Sequence, residues 1–260
     1  MIKLIVTDMD GTFLNDKKEI SSEFWDVFKK LKEKNIKFVV ASGRQYQNLK
    51  EQFEPIKDEI IFVAENGSYI VEKEKELYSR TLSKEAIEKF VNIGREIKTT
   101  NIVLCGKKSA YIENTEPKFM KEVEKYYEER EIVENLLKLP NDDEIIKIAF
   151  CDLDGTEKNI FPFVKDEKEF QVVVSGEIWL DVSHLESNKG IALDIIMKKL
   201  NINYDEVMIF GDYLNDYEML KRGKYSYAME NAHEEVKKIA NFLAKSNNDN
   251  GVIREIKKLF

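Results

Sequence analysis

Cysteine and histidine are nearly absent from this 260-residue chain, which has two of each. Cys105 and Cys151 both sit in apolar surroundings, which suits small buried, reduced thiols and argues against a disulfide framework. His184 and His233 show no metal-ligand spacing, so both read as structural. No apolar run is long enough to span a bilayer, and the opening stretch Met1-Ile2-Lys3-Leu4-Ile5-Val6 is too short for a secretory signal. A cytoplasmic protein without membrane contact is expected. An excess of positive charge is also missing. The formal net charge of -8 does not supply the clustered Lys and Arg that binding to a nucleic-acid backbone needs. A Walker-type phosphate loop and repeats of solenoid period are absent as well.

What is present is a core-forming composition, 43% hydrophobic against 35% charged residues, in a length that fits one large domain or two unequal ones. Short apolar runs at Ile2 to Val6, Lys37 to Ala41, Ile60 to Ala64 and Val207 to Phe210 read as strands, with weaker candidates at Tyr225 to Met229 and Asn241 to Ala244. Between the first two lies a helical face of Phe24, Val27, Phe28 and Leu31. Strands alternating with helices predict a parallel sheet. From Ser83 to His184 the pattern changes. Helical stretches Lys84 to Arg95 and Pro117 to Arg130 alternate with strands at Ile102 to Cys105, Ala110 to Ile112, Ile145 to Cys151, Phe170 to Ser175 and Trp179 to Val182. The expected division is a core of residues 1–82 and 185–260 and an inserted α+β domain of residues 83–184.

The first apolar run ends in Asp8-Met9-Asp10-Gly11-Thr12. Carboxylates one residue apart lie on the same side of an extended segment, and the carboxyl edge of a parallel sheet is where open α/β folds keep their ligands. A bland alternative is a tight Asp-Gly turn. The chain holds a near copy, Asp152-Leu153-Asp154-Gly155-Thr156, so company must separate the two. Parallel strands would bring Asp8, Asp10, Ser42, Asp212 and Asp216 to one edge. There Asp8 would be a nucleophile toward phosphorus and Asp10 a general acid, then base.

Repulsion between carboxylate and phosphate is about 4 kcal/mol per unit charge pair at ~4 Å and an effective dielectric of ~20. A cation must offset it. Mg2+ held by Asp8, Asp212 and the backbone carbonyl of Asp10, completed or oriented by Asn215 and Asp216, would serve. Lys189 would pair with the phosphoryl group and Asp8, while Thr12 and Ser42 donate to the remaining oxygens. By itself Lys189 reads as a solvated first-turn lysine, and Gly211-Asp212 with Asn215-Asp216 as a capping turn. Gly43, Arg44 and Asn66 are candidates for binding substrate or shaping turns.

In this order the segments Asp8-Met9-Asp10-Gly11-Thr12, Ser42, Lys189 and Gly211-Asp212 with Asn215-Asp216 resemble the four signatures of the haloacid dehalogenase superfamily. Glu65-Asn66-Gly67 and the insertion look like its Cof-type, subclass IIB branch, as do Met229-Glu230-Asn231-Ala232 and Asn247-Asn248-Asp249-Asn250-Gly251-Val252. The likeness covers essentially the whole chain. It implies a Rossmann-like parallel-sheet core, an α+β cap domain over the active site, Mg2+, and hydrolysis of a small phosphorylated metabolite such as a sugar phosphate, nucleotide or cofactor phosphate. It makes Asp152 and Asp154 a strand-to-helix turn. Tyr213-Leu214 departs from the smaller or acidic spacer frequent in the family. A phosphosugar mutase and a non-enzymatic phospho-acceptor fit the same nucleophile, although Asp10 argues against the latter because a positioned base speeds loss of the phosphate.

Overall fold

In the computed structural model, which describes residues 1–140 and 142–260, Leu4–Thr7 forms strand β1 and is buried along its whole length. In chain order there follow β2 (Lys37–Ala41), β3 (Ile61–Ala64), β4 (Tyr69–Glu72), β5 (Lys75–Ser79), β6 (Thr100–Gly106) and β7 (Ala110–Ile112). Next come β8 (Arg130–Ile132), β9 (Ile145–Asp152), β10 (Phe170–Val174), β11 (Trp179–His184), β12 (Val207–Gly211), β13 (Tyr225–Met229) and β14 (Phe242–Ala244). The chain divides into two units, residues 1–43, 55–77 and 188–260 in the first and 44–54 and 78–187 in the second.

The first unit is built on a sheet of order β14-β13-β12-β1-β2-β3-β4-β5. From β14 to β3 every neighbouring pair is parallel, which is why β1, β2, β3 and β12 are nearly continuous apolar runs rather than alternating ones. β1 is central, with Thr7 opposite both Phe210 and Val40. The carboxyl ends of the parallel strands therefore share one edge, and Asp8, Ser42, Glu65 and Asp212 each follow directly after such an end. The helix Glu23–Glu33 buries Phe24, Val27, Phe28 and Leu31, the spacing that puts four side chains on one helical face. Phe24 also meets Phe13 edge-on at 4.8 Å and Phe38 of β2 at a tilt at 5.1 Å, so the segment after β1 is pinned to the helix by packed rings.

β4 is a difference from the expected all-parallel sheet. It runs antiparallel to β3 and reaches β5 through Lys73-Glu74, both at positive φ (52° and 59°), the geometry of a two-residue hairpin turn.

The second unit has a sheet of order β10-β11-β9-β6-β7-β8. Alternation along β9 separates two cores. Ile148 and Phe150 pack with Phe90 and Val91 of the helix Lys84–Glu96, whereas Ala149 and Cys151 pack with Phe119 and Val123 of the helix Pro117–Tyr126. Both cysteines are buried and free, and burial pushes the Cys151 thiol up to about 12. The helix expected to reach Arg130 stops at Tyr126. Tyr127 turns to extended φ/ψ, its ring packs near Trp179 at 6.1 Å, and Arg130–Ile132 pairs with β7.

Residues 44–54 group with the second unit although the core was expected to run unbroken to 82. The Gln45 amide donates to Glu129 O (2.9 Å) and its oxygen accepts from Glu129 N (3.2 Å), while Gln47 Nε2 donates to Lys107 O (2.8 Å). Residues 78–82 also belong to the second unit.

Phe24 has no exposed surface. Phe24→Ala is expected to destabilise the first unit by about 3–5 kcal/mol, read as an earlier urea midpoint of its unfolding.

Candidate active site

β1 delivers Asp8 by continuing its hydrogen-bond ladder one residue, Asp8 N donating to Phe210 O at 3.0 Å. The chain then wraps around the Met9 carbonyl, which accepts from the amides of Thr12, Phe13 and Leu14. This tight wrap needs Gly11 at φ +80°, and a Cβ there would lie 2.4 Å from Asp212 Oδ2, so glycine is required by both conformation and space.

Lys189 opens the helix Lys189–Leu200, whose Asn188 cap accepts from Ile191 N. The bland reading of a solvated lysine is overturned, because Lys189 is 1% exposed. Its ammonium donates to Asp8 Oδ1 at 2.5 Å and to Asp216 Oδ1 at 2.6 Å. Asp216, wholly buried, accepts from the amides of Asp212 (2.9 Å) and Tyr213 (3.3 Å) through its other oxygen. Thr12 Oγ1 donates to Asp212 Oδ1 at 2.6 Å. Thr12 was expected to donate to a phosphate; its single hydroxyl proton is instead committed to Asp212 and fixes that carboxylate.

Oxygens of Asp8, Asp212 and Asp216 lie within 4.8 Å of one another. Three carboxyl groups share one ammonium, so ionising all of them would leave negative charge uncompensated. Burial, and then the Asp216 and Asp212 charges, hold Asp8 well above the usual carboxylate range against the pull of Lys189. Burial and Asp216 likewise push Asp212 up to about 6. Burial opposes the Lys189 charge, but Asp216 and Asp8 outweigh it and keep the ammonium protonated. An all-oxygen, electron-rich donor set with excess negative charge fits a hard divalent cation.

The turn Glu65-Asn66-Gly67 builds an adjoining wall. Glu65 and Asn66 both take left-handed backbone, φ 49° and 55°, a strained pairing for side-chain-bearing residues. Asn66 N donates to Ser42 O (2.9 Å), Asn66 Oδ1 accepts from Asn215 Nδ2 (3.1 Å), and a Cβ on Gly43 would come within 3.1 Å of the Asn66 amide. Gly67, at φ +103°, packs against the carbonyl of Asn188, which a Cβ would meet at 2.5 Å. Ser42, Gly43, Asn66 and Asn215 thus form one linked set leading to the lysine helix.

Asp10 stands outside the three-carboxylate group. It is part-exposed, and its Oδ1 accepts from Lys18 Nζ at 2.7 Å, although its charge adds to the upward shift of Asp212. Arg44 belongs to the second unit, where Nη1 donates to Asn48 Oδ1 (3.1 Å). The near copy of the motif is also in the second unit and is a closed turn. Asp152 is buried and accepts from Thr99 and Thr100 hydroxyls, Asn159 Nδ2 and Asp154 N. Those donors hold it below the usual range despite burial.

Sequence reasoning gave no role to Lys18, Asp16 or the asparagines that brace the segment after β1. Asn231 Nδ2 donates to Gly11 O (2.7 Å), Asn247 N donates to Asn231 Oδ1 (3.2 Å), and Asn247 Nδ2 donates to Leu14 O and Asp16 Oδ1 (both 3.0 Å). The available signal was the pair of asparagine-bearing segments quoted above.

With that geometry in place, a family profile described as haloacid dehalogenase-like hydrolase matches residues 5–256. The chain belongs to that family. A relative from Escherichia coli K12, named 5-amino-6-(5-phospho-D-ribitylamino)uracil phosphatase, is 37% identical over 99% of this chain and 96% of its own length. Among solved structures, a Streptococcus mutans UA159 protein superposes with a TM-score of 0.90 at 33% identity, covering 100% of this chain and 99% of its own. A subclass IIB sugar phosphatase shares the fold at a TM-score of 0.82 and 20% identity, over 99% and 98% of the two chains. Among the described residues no helix is long and apolar enough to cross a membrane.

Because the folded protein raises Asp212 from 3.8 to about 6, its ionisation as pH rises through that window costs stability when no cation is bound. Asp212→Asn is therefore expected to raise the melting temperature in a chelator at pH 7 and to leave it nearly unchanged below pH 4, measured by thermal unfolding at both values.

Proposed function

We propose that this haloacid dehalogenase-like phosphatase hydrolyses small phosphate monoesters in two steps through Asp8. The observation that carries the reading is the buried Lys189 ammonium joined to Asp8 and Asp216, beside Asp212. Lys189 holds Asp8 Oδ1, which leaves the other carboxylate oxygen to attack phosphorus. The bond from Asp8 to phosphorus forms as the bond to the leaving oxygen breaks, and Asp10 gives that oxygen its proton. Water then attacks phosphorus as its bond to Asp8 breaks, Asp10 takes a proton from that water, and orthophosphate leaves with Asp8 restored as a carboxylate. The ammonium offsets repulsion between Asp8 and the incoming anion. Ser42 and the linked amides of Asn66 and Asn215 are proposed to contact the phosphoryl oxygens, while Thr12 positions Asp212.

The donor set fits Mg2+, held by Asp8, Asp212 and Asp216. Bound there, it would act as a Lewis acid toward a phosphate oxygen. For the substrate we propose 5-amino-6-(5-phospho-D-ribitylamino)uracil as the first compound to assay, on the strength of the Escherichia coli relative's name and 37% identity. A mutase would instead return an isomer of its substrate and little free phosphate.

Phosphate release from 4-nitrophenyl phosphate is expected to vanish in EDTA and return with Mg2+. Asp8→Asn should abolish turnover, Asp10→Asn should lower it by about 10²- to 10⁴-fold, and Asp152→Asn should leave it within about twofold of the parent, as expected for a carboxylate whose hydrogen bonds are spent on its own turn. An inactive Asp152→Asn with an active Asp8→Asn would reverse the assignment.

A further inference from the structure

Lys18 occupies an unusual place. Its backbone is left-handed, φ 64°, a conformation that a residue with a long side chain seldom takes. The loop around it is firmly tied. Asn15 Oδ1 accepts from Lys17 N (2.9 Å) and Glu19 N (3.0 Å), and Lys18 N donates to Asn15 O (2.8 Å). Asp16, next along, accepts from Asn247 Nδ2 (3.0 Å) and Asn248 Nδ2 (2.9 Å), and its own amide donates to Asn248 Oδ1 (3.0 Å). Contacts reaching across more than 230 residues thus set the path of a loop whose outcome is one side-chain contact, Lys18 Nζ to Asp10 Oδ1 at 2.7 Å.

Stability does not account for the arrangement. The pair is open to water, with side chains 59% and 37% exposed, and exposed ion pairs contribute little, no more than left-handed backbone at a lysine costs. An observed backbone outlier beside reacting groups is better explained by what it holds in place. A hydrogen bond to one oxygen of Asp10 restrains the orientation of its carboxyl group, the same logic by which a third group orients a catalytic base.

We infer that Lys18 is a positioning residue that orients Asp10 for proton transfer to the leaving oxygen, an inference resting on the acid and base role proposed above for Asp10. The asparagines at 247 and 248 then act at one remove, by holding the loop that presents Lys18.

The test compares kcat/KM, which reports the first chemical step, for two substrates of nearly the same shape. Phenyl phosphate has a leaving oxygen that needs protonation, whereas 4-nitrophenyl phosphate has one that barely does. Lys18→Met, at an exposed position where folding is not at risk, is expected to lose about tenfold on phenyl phosphate and at most about threefold on 4-nitrophenyl phosphate, a fraction of what proton transfer supplies. Lys18→Arg should recover most of the loss. In the double variant with Asp10→Asn the two effects should not add, because both act on one proton transfer. Equal losses on the two substrates, no loss, or additive losses would overturn the inference while leaving the role of Asp10 intact. A fully active Asp10→Asn would overturn the parent reading and this one together.

Discussion

A single buried ammonium organises the first unit's functional edge. Lys189 reaches from the first residue of its helix to Asp8 after β1 and Asp216 after β12, so two crossovers of the sheet meet in one charge contact. Buried ion pairs gain little net stability, since desolvation offsets most of the attraction, yet removing one partner strands the others at a cost of about 3–5 kcal/mol. The arrangement is thus poor as a stabilising device and effective as a constraint. Asp8 is held in one place by a group that cannot leave without penalty.

The same contact explains the electrostatic imbalance. With Lys189 shared between Asp8 and Asp216, Asp212 has a hydroxyl from Thr12 as its neutral partner, and burial keeps it near half-protonated around pH 6. A cluster of carboxyl groups that outnumbers its one ammonium suits a divalent cation. Tightness is equally evident at Gly11 and Gly67, where no Cβ fits. The edge is close-packed backbone up to the carboxylates, which leaves side chains few alternative rotamers.

Much of this was legible in the chain because strong signals coincide. β1, β2, β3 and β12 are continuous apolar runs, and each ends in the polar residues that the edge uses. Ordered spacing of Asp8, Ser42, Lys189 and Asp212 therefore survived translation into three dimensions. What was not legible depends on long-range packing or on backbone without a residue signature. Lys73-Glu74 makes its turn with neither glycine nor asparagine, so the hairpin of β4 and β5 left no mark. Tyr127 leaves its helix because Trp179 and the β7 edge offer better partners, a preference no local pattern encodes. Burial of Lys189 and the choice of Asp212 as the partner of Thr12 are likewise tertiary facts, since sequence gives a hydroxyl its position but not its acceptor.

The position of β1 between β2 and β12, and the clasp from Asp16 to Asn247 and Asn248, bear on how the protein comes into being. As the polypeptide leaves the ribosome, the strand that leads into Asp8 and residues 78–187 of the second unit emerge before Lys189, Asp212 and the asparagines. Such distant pairings close slowly. A nascent chain therefore holds a solitary carboxylate without its counter-charge, its neighbours or its braced loop, and the full set of contacts is completed only after synthesis has passed residue 248.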